Sequence, residues 1–235
     1  MVRFANLRLV TGEAGFKHRW AHYTLLTSGD GVDATGGEDH REPQREFRVI
    51  MDAWANPGSV RALAIAHEPQ PEASCLVVVA RSLLDAHTGF CVAARRPEEL
   101  APAVTRLTRA PMMSPEWAAV ALVSLDAGEA RGVELLVKLG LGTTASAERR
   151  VPVVIECASL GRMRCDATPY AFSVSVPGGA EHSEFAVSSR WWHDACADDA
   201  PTSLCRFDLL LLSQTGELVA LPRDSRVELL KNTGA

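Results

Sequence analysis

The sequence predicts an α/β fold, a single layered domain built around a mixed sheet. Three observations carry that expectation. Segments with helical spacing interleave with short β-branched runs, the pattern of helices laid on a sheet. The run Leu209–Leu212 is continuously apolar, as a strand covered on both faces would be. The chain has 235 residues, 47% hydrophobic and 23% charged, enough for a sizeable core without disulfide or metal staples.

The elements follow in order. Phe16–Leu26 carries aromatic residues and two histidines, and its pattern leaves helix and strand equally open. Ser28–His40 is rich in Gly, Asp and Thr and reads as a loop or linker. Residues 1–42 are thus expected to form a partly flexible N-terminal extension, with the α/β domain over 43–235. Pro43–Asn56 predicts a helix, because Phe47, Ile50, Met51 and Trp54 share one face. Asn56-Pro57-Gly58 stops it, since the residue before a proline avoids helical backbone. A strand is expected over Val60–Ala66. Glu72–Ala86 is ambiguous: Leu76–Val79 has the β-branching of a strand, but the length of the segment leans towards a buried helix.

Further along, Thr88–Ala94 reads as a strand and Pro97–Arg109 as an amphipathic helix with proline in its first turn. Trp117–Leu125 predicts a strand, and Gly128–Leu139 a helix closed by Gly140. Val151–Ser159, Arg162–Asp166 and Tyr170–Val176 predict strands, and Ser188–Cys196 a short helix. Phe207–Leu212 and Glu217–Leu221 flank Ser213-Gln214-Thr215-Gly216, a hairpin signal.

Charge and composition exclude several classes. The net charge is −5 and no basic stripe concentrates Lys and Arg, which disfavours nucleic-acid binding. No apolar run approaches the roughly 18 residues of a membrane span, and Met1–Val10 lacks the apolar stretch of a secretory signal. A cytoplasmic, reducing location is therefore expected. The cysteines Cys75, Cys91, Cys157, Cys165, Cys196 and Cys205 form no C-x-x-C pair and read as free thiols.

Few residues invite chemistry. Asp208 opens an apolar strand, where a carboxylate needs a partner; Arg223, across the hairpin, is the candidate ion-pair partner. Arg223 also has the planar fork of donors that suits a phosphate or a neighbouring carboxylate. Asn56, Pro57 and Gly58 are candidates for an interface loop as well as a helix stop. His18 and His22 lack the further ligands a metal needs, so no metal is expected. Trp191-Trp192-His193-Asp194 has no accompanying nucleophile, and Gly140–Thr144 lacks the lysine ending of a phosphate loop.

Three segments in order resemble the PhnH family. Gln44–Val60 carries Gln44, Phe47, Arg48, Pro57 and Gly58 at the family's spacing. Val151–Arg164 is similar to the family's apolar strand, Ser-Leu turn and second strand. Phe207–Leu229 matches its Asp-Leu strand, hairpin and Leu-Pro-Arg ending at Asp208, Leu209, Leu221, Pro222 and Arg223. Leu84, Asp85 and Thr88 match a further Leu-Asp-x-x-Thr pattern. The chain departs from the family at Ala167-Thr168-Pro169-Tyr170, where a glycine-rich turn is usual, and at Leu204 and Arg206, where Pro and Gly are frequent.

The resemblance implies a truncated version of the pyridoxal-phosphate-dependent transferase fold without the cofactor. Consistent with that, Lys17, Lys138 and Lys231 are the only lysines and none has a recognisable Schiff-base setting. It also implies a homodimer in isolation and, in the carbon–phosphorus lyase system, assembly with PhnG, PhnI and PhnJ. There, with PhnG, PhnI and PhnL, the family supports formation of ribose 1-phosphonate 5-triphosphate from ATP and an alkylphosphonate. Catalysis is placed on PhnI, so no independent catalytic site is expected. The alternative is a diverged stand-alone binder or enzyme that kept the fold and lost the complex.

Overall fold

Capping and burial decide the helices of the computed structural model, which describes residues 41–64, 74–140, 151–177, 182–196, 207–223 and 225–230. Helix α1 (Arg41–Ala55) buries Glu46, Ile50, Ala53 and Trp54. Phe47 and Met51, expected on the same stripe, are half-buried at its margins. The valine-rich segment is helical: α2 (Cys75–Leu83) starts where the Ser74 hydroxyl accepts a hydrogen bond from the Val77 amide. That cap, with burial of Cys75, Leu76, Val77, Val79 and Ala80, outweighs the strand preference of the valines. Helix α3 (Pro97–Thr108) has proline at its start. Helix α4 (Gly128–Gly140) follows a 3-10 turn over Leu125–Ala127, and α5 (Trp191–Cys196) is a short helix.

The strands fall into two sheets, not the single mixed sheet expected. One has six strands in the order β1 (Arg61–Ala62), β9 (Glu217–Leu221), β8 (Asp208–Ser213), β4 (Pro152–Cys157), β3 (Val120–Val123) and β2 (Phe90–Ala93). The neighbours among β2, β3, β4 and β8 pair in parallel, whereas β9 is antiparallel to both β8 and β1, so the sheet is mixed. The second sheet is antiparallel, in the order β10 (Arg226–Leu229), β6 (Tyr170–Ser175), β7 (Ser183–Val187) and β5 (Leu160–Gly161). Every residue of β8 is buried, as its unbroken apolar run predicts.

Several boundaries differ from expectation. Arg162–Asp166 is not a strand: β5 ends at Gly161, and residues 162–167 are exposed in a turn closed by Cys165 and Thr168. The ladder to β7 holds only Leu160 and Gly161, so nothing pairs the residues beyond. The strand expected from Val60 reduces to Arg61–Ala62, with Leu63 donating to the Gly216 carbonyl; residues 65–66 lie outside the described residues. Strands β7 and β10 add two members the sequence pattern had not supplied. Expectations for residues 1–40, including Phe16–Leu26 and the His18/His22 pair, fall outside the described residues, as do Lys231 and Cys205.

Two apolar layers sandwich the six-stranded sheet. On one face Phe90, Val120, Leu122, Val154, Leu210, Leu212, Leu218 and Ala220 pack with α1, α2 and α3. On the other, Cys91, Val123, Ile155, Leu209, Leu211 and Val219 pack with α4, α5 and the second sheet. Phe172, Phe185 and Trp192 stack within that second layer at 5.1–6.2 Å between ring centres. Steps β2→β3 and β3→β4 move the same way across the sheet, yet α3 covers one face and α4 the other. The two crossovers therefore have opposite hands, so one is the rare left-handed kind. Among the described residues, no helix is long and apolar enough to cross a membrane.

Candidate functional site

The residues singled out from sequence gather at one end of the six-stranded sheet, where β8 starts and β9 ends. Asn56 closes α1: its side-chain amide donates to the carbonyl and the carboxylate of Asp52 at 2.9 and 3.0 Å. Gly58, with φ +76°, donates its N–H to the Ala220 carbonyl at 3.0 Å. A Cβ there would stand 2.7 Å from Val174 Cβ on β6 and 3.0 Å from Ser183 Cβ on β7. Gly58 thus lets the α1–β1 turn touch β9 and the second sheet at once. Asp208 is buried, and its Oδ1 accepts the Arg223 backbone N–H at 2.8 Å. The carboxylate therefore ties the end of β9 to the start of β8 through the main chain. These contacts tie the α1–β1 turn and the ends of β8 and β9 together at the sheet's end.

A second constellation, which the sequence reading missed, occupies the opposite, carboxyl end of the parallel strands. The chain leaves β2 towards one face and β3 towards the other. Asp126 links the two strand ends: its Oδ1 accepts the Arg95 backbone N–H at 3.2 Å and the Ser124 hydroxyl at 2.8 Å. Glu156 Oε2, on β4, accepts the Leu125 N–H at 3.0 Å. From α4, the Arg131 guanidinium donates to the Ala94 carbonyl at 2.9 Å. Burial pushes the Glu156 carboxyl above its ordinary value and Asp126 adds to the shift, against the Leu125 hydrogen bond. Burial also opposes ionisation of Asp126, but the Ser124 and Arg95 hydrogen bonds and the Arg96 and Arg95 charges outweigh it and hold the group low. At the neighbouring hairpin, burial of Glu217 is outweighed by hydrogen bonds from Ser213 and Thr215, which keep it low too.

The buried thiols of Cys75, Cys91 and Cys157 are quiet. Burial, reinforced by Glu156, raises Cys75 to about 11 and Cys157 to about 12; burial and Glu116 raise Cys91 to about 12. Cys165 is exposed, and hydrogen bonds from the Thr168 side chain and amide lower it. The pair at Trp191–Asp194 is structural in its contacts: Trp192 is buried against Phe172, and a His193 ring nitrogen meets the Val227 carbonyl at 3.2 Å. Lys138 pairs with Glu134 one helical turn away at 2.7 Å. The Gly140–Thr144 loop lies outside the described residues beyond Gly140. Among the described residues no group of three or more His, Cys, Asp or Glu could hold a metal ion.

Several large apolar side chains near edge strand β2 are exposed. Along edge strand β2, Met112 forms a bridge with Phe90, and the Met113 thioether covers Gly89. Met112 is 53% exposed and Trp117 65% exposed, with Met113 and Leu107 beside them in sequence also exposed. Met and Trp are enriched in contact faces between proteins.

Comparison with known proteins adds the family. No curated protein matches the chain. The family described as "Bacterial phosphonate metabolism protein (PhnH)" matches residues 37–228. That span takes in the Gly58 turn, both sheets with the constellations at their ends, and the Asp208–Arg223 tie. The chain belongs to the PhnH family of bacterial phosphonate metabolism proteins.

Proposed function

We propose that this chain is a subunit of the carbon–phosphorus lyase system. In that role it supports formation of ribose 1-phosphonate 5-triphosphate from ATP and an alkylphosphonate, within a complex containing PhnG, PhnI and PhnJ. The observation that carries the reading is the family match over most of the chain, residues 37–228. The polar groups described above are consistent with a supporting role: the buried carboxylates serve backbone amides, and the buried thiols are held protonated at neutral pH. On this reading the protein is cytoplasmic, uses no cofactor of its own, dimerises when isolated, and descends from a pyridoxal-phosphate transferase fold that lost its cofactor.

The test is co-purification of the tagged full chain with PhnG, PhnI and PhnJ from the same source, followed by assay on ATP and methylphosphonate. The expected outcome is a stable assembly whose activity falls to background when this chain is omitted. An assembly that forms and turns over without it would sink the proposal and leave a stand-alone binder of the same fold.

A further inference from the structure

The Trp191–Asp194 segment carries one titratable ring held largely away from solvent. The His193 side chain is 14% exposed, and its ring centre lies 5.1 Å from that of Phe172 on β6 and 5.9 Å from that of Trp192. The ring is thus fixed in place, and each nitrogen has one partner. Nε2 meets the Val227 carbonyl of β10 at 3.2 Å. A carbonyl only accepts, so Nε2 is assigned the proton, and in the neutral ring Nδ1 keeps a lone pair. That lone pair faces Asp194 Oδ1 at 3.4 Å, acceptor against acceptor. The other Asp194 oxygen stands 3.5 Å from Arg190 Nε. A proton taken from solvent at Nδ1 turns the unfavourable contact into a charge-assisted hydrogen bond and leaves the Val227 bond in place.

We propose that His193 is a pH-sensitive clamp between α5 and the edge strand β10, making one hydrogen bond when neutral and two when protonated. The strand is an edge of the four-stranded sheet. The Leu230 N–H bonds to the Ala171 carbonyl, so by the alternation of an antiparallel ladder Arg226 and Glu228 aim their backbone groups at β6, and Val227 aims its own outwards. His193 therefore grips the outer edge of β10. The charged groups around the ring come from several elements. On α5 itself are Asp194 and Arg190, and the Arg190 guanidinium also lies 5.5 Å from the centre of the Tyr170 ring on β6. On β10, Arg226 and Glu228 flank Val227 and pair with each other at 3.0 Å. Beyond the strand's end, Arg164 donates to the Leu230 carbonyl. Helix α4 meets α5 through Trp191, which packs on Gly132; two positions along a helix turn the His193 ring about 200° away from that contact. The sign follows from the bond count. The second bond exists only in the folded, protonated form, so the extra hold is present at acid pH and is lost as pH rises through the titration of the ring. The inference does not depend on the assembly proposed above.

The experiment is long-range proton–nitrogen NMR of the imidazoles of the full chain over about pH 5–8. Protection of the Glu228 amide, corrected for the intrinsic exchange rate, is followed in parallel on wild type, His193→Gln and Asp194→Asn. At the alkaline end the His193 ring should show the Nε2-protonated tautomer. On acidification the Asp194 carboxyl carbon should shift with the ring, and Glu228 protection should rise about two- to tenfold, the worth of one net hydrogen bond. His193→Gln keeps a donor for Val227 but cannot titrate, so its protection should stay flat. Asp194→Asn, at an exposed position, should keep the tautomer and lose the rise in acid. An Nδ1-protonated tautomer at the alkaline end overturns the proposal. So does protection that ignores the ring's titration, or an acid rise that survives Asp194→Asn.

Discussion

At Gly58 a single hydrogen atom in place of a methyl group decides whether three elements can meet. Its φ of +76° already disfavours an L side chain, and the space a Cβ needs is held by Val174 and Ser183. Neither neighbour can swing away, since both contacts are to strand atoms close to the backbone of the second sheet. Gly58→Ala is therefore expected to cost about 2–4 kcal/mol, combining backbone strain with a steric clash. Urea unfolding measures it as a lower midpoint at unchanged slope. A loss under about 0.5 kcal/mol, the range of ordinary surface substitutions, would mean the turn is not held against the second sheet. The sequence made the helix stop legible, because a proline after Asn56 limits the backbone locally. It could not make legible that the next glycine abuts Val174, a contact set by where a strand far along the chain packs. Asp208 is a similar case. An apolar strand with an acidic first residue announces that a partner is needed, but only the register of Leu209 opposite Leu221 selects the Arg223 amide.

Helices and strands were legible to different degrees, and the reason is where their information sits. Helix α3 was readable from Pro97 and its apolar spacing, because both act within a few turns. Its end carries a local conflict. Arg109 adopts the left-handed conformation, φ 61°, at the helix end, where its N–H makes the last helical bond, to the Thr105 carbonyl at 2.7 Å. Glycine is the usual occupant of such a cap. The Arg109 side chain is exposed, so little packing is lost on replacement. Arg109→Gly is expected to stabilise the fold by about 0.5–1 kcal/mol, read as a rise in thermal midpoint. A fall would mean that the guanidinium makes contacts worth more than the strain. Strand β10 shows the opposite limit. Arg226-Val227-Glu228-Leu229 alternates clearly, yet four residues are too few to distinguish a strand from a tail until β6 is beside them. Arg162–Asp166 failed the other way: its neighbours suggested a continuing strand, but the chain leaves β7 after Gly161, opposite Ala186, and turns back through the bridge between Cys165 and Thr168.

On the scale of the molecule the question is whether the second sheet is a separate unit or part of one cooperative whole. The sequence foresaw a mixed sheet with helices but not the division into two sheets, since alternation along a strand does not say which sheet it joins. Packing answers the rest. Leu209, Leu211, Val219 and Leu221 of the six-stranded sheet share one apolar layer with Phe172, Val174, Phe185 and Val227 of the four-stranded sheet. Cys157 lies in that layer, 1% exposed, with its thiol raised to about 12. Peeling the second sheet away would expose apolar surface on both sides of the interface, at about 25 cal/mol per Å². Each sheet also closes the chain for the other, because β8 and β9 lie in sequence between β7 and β10. Cooperative unfolding is therefore expected. Under native conditions with added urea, amide exchange in β6 and β7 should accelerate at the same denaturant concentration as alkylation of Cys157 and amide exchange in β4 and β8. Exposed Cys165 should be alkylated before any of them, giving an internal control for reagent access. If β6 and β7 exchange at markedly lower urea than β4 and β8, the shared layer is not what holds the sheets together, and Cys157 should then react with the earlier event.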